Sequence, residues 1–148
     1  MQRIQIERAE KKDVPAVAAL AARMWDASEE DLAEEFASLA DNPETTVFVA
    51  RLDGQTVAFA QCQLRHDYVE GTKTSPVGYL EGVFTAEPQR RKGLAAALLA
   101  ACEDWARDCG CTEFASDCEL ENTDSLRFHK RLGFREANRI ICFTKALK

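Results

Sequence analysis

Apolar positions along this chain change period several times, and each change marks an element. Ile4-Gln5-Ile6 alternates as a strand does. From Asp13, with Pro15 just inside the start, Val14, Val17, Ala18, Ala21 and Met24 recur on one face of a helix. A second helix opens on Ser28-x-x-Asp31, carries Leu32, Phe36 and Leu39 at helical spacing, and stops at Asp41-Asn42-Pro43. Residues 45–52 and 55–64 are β-prone runs joined by Asp53-Gly54, a pair that tolerates positive φ, so they predict a hairpin. Residues 65–77 are polar, contain Gly71 and Pro76, and predict a long loop before a strand over 78–85. A longer helix is expected from about Arg91, with Leu94, Leu98, Ala101, Cys102, Trp105 and Cys109 on one stripe and Gly110 closing it. A strand over 112–118, a helix over 122–132 ended by Gly133, and a final strand or strand pair over 134–147 complete the pattern. The order βααβββαβαβ predicts one α/β domain over residues 1–148, a mixed sheet with helices on both faces.

Composition narrows the functions open to such a domain. The chain has 148 residues, 46% hydrophobic and 30% charged, the balance of one globular unit. Its longest apolar run, Leu94 to Cys102, is far shorter than the roughly 20 residues of a membrane span, and Met1 to Gln5 has no signal-peptide apolar region. A soluble cytoplasmic protein with no membrane partner is expected. The net charge of -6 has the wrong sign for a phosphate backbone, and Arg90-Arg91-Lys92 is too short to track one, so nucleic acid is not an expected partner. An acidic surface suits a cationic ligand. Six cysteines without a secretory signal are read as reduced thiols. Cys109-Gly110-Cys111 lacks zinc-knuckle spacing, and His66 and His129 lie in separate segments, so no metal is expected.

The segment Gln89-Arg90-Arg91-Lys92-Gly93-Leu94-Ala95 lies between a predicted strand and a predicted helix. Backbone N–H groups at a helix start, with the helix dipole behind them, form a site for a pyrophosphate. Gly93 lets that backbone approach the phosphates and Ala95 adds little bulk. Arg90, Arg91 and Lys92 can add charge, although part of this run can equally be solubilising surface. Downstream stands Asn122-Thr123-Asp124-Ser125-Leu126-Arg127-Phe128-His129-Lys130-Arg131-Leu132-Gly133-Phe134. The two segments resemble the Q/R-x-x-G-x-G/A and N-x-x-S/A-x-x-x-Y-x-x-x-G-F signatures of GNAT acetyltransferases. The resemblance implies the GNAT fold, acetyl-CoA as cosubstrate, CoA contacts from Asn122 and from Val83, Phe84 and Thr85, and a proton donor to the departing thiolate at the position held here by His129. An imidazole can serve as that acid, or it can be a packed helix residue.

Further segments narrow the resemblance. Arg65 to Gly71, Ser75-Pro76-Val77, Leu80-Glu81-Gly82-Val83-Phe84, Ala115-Ser116-Asp117, Glu121-Asn122-Thr123 and the surroundings of Trp25 resemble a group of aminoglycoside 6'-N-acetyltransferases. That group implies a homodimer and a polycationic aminosugar held by Trp25, Tyr68, Glu81 and Asp117. A further acid is expected where this chain has Asn138, and Glu136 can substitute for it. Glu81, or a water on it, is implied as the acceptor of the ammonium proton, and a backbone N–H near Val83 as the oxyanion donor. Taken singly, Trp25 can be core, Tyr68 a loop anchor, and either acid a solvated strand end. A polyamine or protein-amine acetyltransferase and a silent acyl-CoA sensor remain open alternatives.

Overall fold

The computed structural model describes residues 3–148. Five strands form one sheet in chain order, β1 (Ile4–Arg8), β2 (Thr45–Leu52), β3 (Gln55–Arg65), β4 (Val77–Thr85) and β5 (Phe114–Ala115). The first four pair antiparallel; β4 and β5 are parallel, which makes the sheet mixed. Asp53 and Gly54 take φ values of 50° and 85°, the left-handed geometry of the predicted hairpin turn. Residues 57–62 of β3 are all buried, as a strand covered on both faces requires.

Helices α1 (Val14–Ala21) and α2 (Glu29–Leu39) cover one face, where Val17, Ala21, Leu32 and Phe36 pack on Val49 and Phe59. Ser28 caps α2 by accepting from the Asp31 N–H at 3.0 Å. Asp13 does not cap α1. Its carboxylate instead closes a short 3-10 turn by accepting from the Glu10 N–H at 2.8 Å and pairs with Arg51 at 3.0 Å. The opposite face carries α3 (Leu94–Asp108), whose Leu94, Leu98, Leu99, Cys102, Trp105 and Ala106 form a continuous buried stripe. Phe128 of α4 (Thr123–Arg131), with Leu132 and Phe134 just beyond it, packs on the same cluster.

Three boundaries differ from the sequence expectation. Helix α3 begins at Leu94, because Arg91 and Gly93 both adopt positive φ, 67° and 77°, and a right-handed helix cannot pass through them. Strand β5 has only two residues, since its parallel pairing with β4 ends at Tyr79 and Ala115. The strand expected over 134–147 is absent: these residues form neither helix nor strand, and Ile140, Ile141, Phe143 and Leu147 are 66–89% exposed. Among the described residues nothing covers these apolar side chains.

Two sheet irregularities create the opening that follows. Opposite Gln61 and Cys62 the register jumps from Gly82 to Leu80, so Glu81 is the extra residue of a bulge. Beyond Tyr79 and Ala115, β4 and β5 no longer pair while β4 continues to Thr85, so the two parallel strands part and leave a crevice beside the second half of β4. No helix among the described residues is long and apolar enough to cross a membrane.

Candidate active site

Glu81 lies on β4 and Asp117 just beyond β5, on the two strands that part here, and neither is a bare carboxylate. Arg65, at the end of β3, grips Glu81 with both arms of its guanidinium, Nη2 to Oε1 at 2.9 Å and Nε to Oε2 at 3.1 Å. The same guanidinium lies 3.5 Å from the centroid of the Tyr79 ring. Tyr79, 6% exposed, donates its phenol proton to Asp117. The result is one chain of contacts, Glu81–Arg65–Tyr79–Asp117, joining β3, β4 and the residues after β5. Burial is the largest single influence and works against the Arg65 charge, but the hydrogen bond to Glu81 together with the charges of Glu81, Tyr79 and Asp117 outweighs it and raises the pKa. Burial, then the bond to Asp117, pushes the Tyr79 phenol above its ordinary value.

Trp25 follows α1 and packs on the sheet face that carries α1 and α2. Its ring packs on Phe36 and Phe59 at centroid distances of 6.4 and 6.1 Å. A methyl group on Gly82 would lie 2.5 Å from Trp25 Cζ2, so the indole is seated directly against the bulged strand. Tyr68 is 75% exposed on the loop between β3 and β4. That end of β3 and the following loop, Gln63 to Tyr68, line a recess of about 410 Å³. Asn138 donates to Glu70 of this loop at 2.8 Å, and Ala137 occupies the space a Cβ on Gly71 would need. Glu136 is ion-paired with Arg139 and, at 3.9 Å, with Lys130. Glu136 and Asn138 are thus engaged with their own neighbours, apart from the contacts that join Glu81 to Asp117.

The loop before α3 has the form of an anion cradle. Gly93 is left-handed, and a methyl group there would meet no atom within 4 Å, so the space before the helix is open. The first intrahelical bond runs from the Ala97 N–H to the Gly93 carbonyl, which leaves the N–H groups of Leu94, Ala95 and Ala96 for a ligand. There is no acid in the first turn of α3. Arg90 bonds the Thr85 carbonyl at 3.0 Å and stands 5.5 Å from the Phe84 ring, tying the cradle to the end of β4. Lys92 bonds Gln89 Oε1 at 2.8 Å. Arg91 is the second left-handed residue, so Val83, Phe84 and Thr85 run along β4 directly toward this turn.

On the other side, Asn122 caps α4 by accepting from the Ser125 N–H at 3.0 Å, leaving its amide N–H groups for a ligand. His129 sits one turn beyond Ser125. Its Nδ1 is 2.7 Å from the Ser125 carbonyl and its Nε2 is 2.7 Å from Ser116 Oγ. Sequence reasoning passed over Arg65, Tyr79 and Ser116 as site residues. Tyr79 and Glu81 being two apart on one strand, with Arg65 at the end of its neighbour, was the available signal.

Comparison with known proteins follows the same geometry. The sequence profile of the Acetyltransferase (GNAT) family matches residues 13–134. The chain is 47% identical over 131 residues to an aminoglycoside N(6')-acetyltransferase type 1 of Serratia marcescens, covering 87% of this chain and 90% of that protein. It is similar in structure to aminoglycoside N-acetyltransferase AAC(6')-Iy in complex with CoA, with a TM-score of 0.96, 32% identity, and 99% and 97% of the two chains covered. A second structure of AAC(6')-Iy, in complex with a bisubstrate analog, CoA-S-monomethyl-acetylneamine, matches with a TM-score of 0.88 and 35% identity over 98% and 99% of the chains.

Proposed function

The chain belongs to the GNAT acetyltransferase family, and from that premise we propose that it transfers acetyl from acetyl-CoA to the 6'-amine of aminoglycosides within a ternary complex. The observation that carries this reading is the crevice itself. An anion cradle at the start of α3 and a pair of oriented carboxylates, Glu81 and Asp117, border the same splayed strand. The cradle suits a pyrophosphate, and acetyl-CoA supplies the acetyl group as a thioester. The carboxylates suit a polycation, with Trp25 and Tyr68 as flat walls for sugar rings.

In this reading, Gln89 to Ala95 hold the pyrophosphate, with Gly93 giving clearance and Arg90, Arg91 and Lys92 adding charge. Val83, Phe84, Thr85 and Asn122 line the rest of the CoA side. Asp117, fixed by Tyr79, orients an ammonium. Glu81, fixed by Arg65, receives the proton of the acceptor ammonium directly or through a water. A backbone N–H near Val83 stabilises the oxyanion formed when the amine attacks. Glu136 and Asn138 form the outer edge of the aminosugar site beside Tyr68.

The test is CoA release measured with acetyl-CoA and a panel of amines, followed by NMR mapping of the product. Aminoglycosides with a 6'-amine, such as kanamycin, are acetylated there, and analogues with a 6'-hydroxyl are spared. Reaction at another amine, or with polyamines alone, would overturn the substrate assignment. Asp117→Asn raises KM more than it lowers kcat, whereas Glu81→Gln lowers kcat.

The same proposal places the enzyme in the cytoplasm as a homodimer conferring antibiotic resistance. The dimer is supported by the exposed apolar side chains of Ile140, Ile141, Phe143 and Leu147, which a second copy would cover. Light scattering of the full chain, compared with Ile141→Glu/Phe143→Glu, should show a dimer that the double change dissociates.

A further inference from the structure

The two carboxylates are occupied in orientation, yet acetyl transfer also needs a proton moved from nitrogen to sulfur. A separate path for it is built from Ser116, His129 and the first turn of α4. The Ser125 carbonyl can only accept, so at 2.7 Å it fixes the proton of the neutral imidazole on Nδ1. Nε2 then presents a lone pair, and at 2.7 Å it takes the hydroxyl proton of Ser116. Phe128 and Phe134 stand edge-on to the ring at centroid distances of 5.4 and 5.0 Å and hold its orientation. Ser116 keeps its remaining lone pairs for a donor. It lies between Ala115, where pairing with β4 ends, and Asp117, which accepts from Tyr79.

We infer that Ser116 and His129 form the proton relay of acetyl transfer, with Ser116 touching the reacting nitrogen and then the sulfur, and His129 acting through it as a positioning residue. This rests on the reading that the crevice holds an amine and an acetyl thioester. Before attack, the substrate ammonium loses one proton to solvent by way of Glu81. The free amine then forms the N–C bond, the carbonyl electron pair moves to oxygen, and the nitrogen becomes positively charged. That nitrogen gives a proton to Ser116 Oγ while the hydroxyl proton of Ser116 passes to His129 Nε2. When the carbonyl re-forms, the C–S bond breaks with its pair on sulfur. Sulfur takes a proton from Ser116 Oγ, and Nε2 returns its own to Ser116. The amide and the free thiol leave, the relay is restored, and one proton per turnover has gone to solvent.

The resting tautomer dictates this order. Nε2 carries no proton while it accepts from Ser116, so His129 has nothing to give a thiolate until the amine has loaded the relay. The same constraint makes the hydroxyl, not the ring, the group in contact with the substrates.

The experiment compares Ser116→Ala, Ser116→Thr, His129→Gln and the double variant Ser116→Ala/His129→Gln, with kanamycin and acetyl-CoA as substrates. Circular dichroism and CoA affinity by calorimetry establish that each is folded. Ser116→Ala and His129→Gln should each lower kcat by on the order of 10²-fold, the usual worth of a positioned acid–base group, with little change in either KM. The double variant should be no worse than either single, because the two act as one unit. Ser116→Thr, which keeps the hydroxyl, should recover most of the loss. Unchanged kcat in Ser116→Ala, or losses that multiply in the double variant, would overturn the relay. Should His129→Gln not fold, the contrast between Ala and Thr at position 116 decides alone. A wild type active on kanamycin with Ser116→Ala equally active removes the relay and leaves the substrate reading standing; a wild type that acetylates no amine removes both.

Discussion

Replacing Gly82 by Ala tests whether the bulged strand and the indole of Trp25 form one rigid wall. The added methyl would sit 2.5 Å from Trp25 Cζ2, 2.9 Å from Cη2 and 3.0 Å from Met24 Cε, where carbon atoms normally rest about 3.5–4.0 Å apart. The indole must therefore yield by about 1 Å, and Phe36 and Phe59 stand behind it. Overpacking of this kind costs about 1–3 kcal/mol. Gly82 has no positive φ, so Ala also gains about 0.4–1 kcal/mol by restricting the unfolded chain. The net is about 0–2.6 kcal/mol of destabilisation, centred on about 1.3, which at that centre is a fall in Tm of about 3–5 °C for a chain of this length. Thermal unfolding followed by circular dichroism reads that shift, and KM for kanamycin reads the displaced wall. A Tm that holds or rises, with KM unchanged, would show that Trp25 is not seated on β4.

The remaining expectations concern the cradle, the phenol and the thiols. Gly93→Asp should abolish CoA binding by calorimetry in a folded protein, since Asp brings a Cβ and a carboxylate to a position at φ 77° facing the open cradle; unchanged affinity would place CoA elsewhere. The Tyr79 pKa is raised on folding by burial and then by the Asp117 bond, so its contribution to stability is full below the ordinary value of 10.0 and is lost as pH rises above it. Ultraviolet titration should accordingly show a late tyrosinate phase that Tyr79→Phe removes, and its persistence in the variant would refute the assignment. Cys118 and Cys142 are exposed, while the Cys62 thiol is pushed up by its hydrogen bond with Cys102 and by burial. A thiol reagent should label the first two quickly and Cys62 only on unfolding, and Cys118→Ser should keep most activity; an acetylated Cys118 during turnover would contradict direct transfer.

What the sequence made legible was whatever depends on neighbours along the chain. The hairpin turn was readable because Asp53-Gly54 meets a φ requirement, and most of the buried stripe of α3 because Leu94, Leu98, Cys102 and Trp105 recur at helical spacing, although Leu99 and Ala106 complete it and the expected Ala101 and Cys109 are only half-buried. The start of α3 was misplaced by three residues because nothing in Arg91 announces a left-handed conformation; only the turn into Gly93 imposes it. The tail shows the opposite limit. Its apolar content is real, but a strand exists only where another backbone accepts it, and that information lies outside the local pattern. The same holds in the site. Glu81 and Asp117 were visible as acids near a crevice, whereas Arg65 and Tyr79, which hold them, are set by a cross-strand register and a bulge.

That register changes what the acids can do. Had Glu81 and Asp117 been free, the crevice would present two mobile negative charges, and a polycation could satisfy them in many orientations. Arg65 cancels the charge of Glu81 locally and fixes the plane of its carboxylate, so the attraction for a cation falls chiefly on Asp117 and on the acidic surface at large. Tyr79 fixes Asp117 in turn, and its ring carries the guanidinium, so neither acid can turn without disturbing the other. Under the proposed function, an ammonium steered to Asp117 would meet Glu81 at a set distance and angle, which is the condition for choosing one amine among several on the same sugar. In that reading, charge would draw the substrate in, and the internal cation on Glu81 would convert that attraction into a choice of nitrogen.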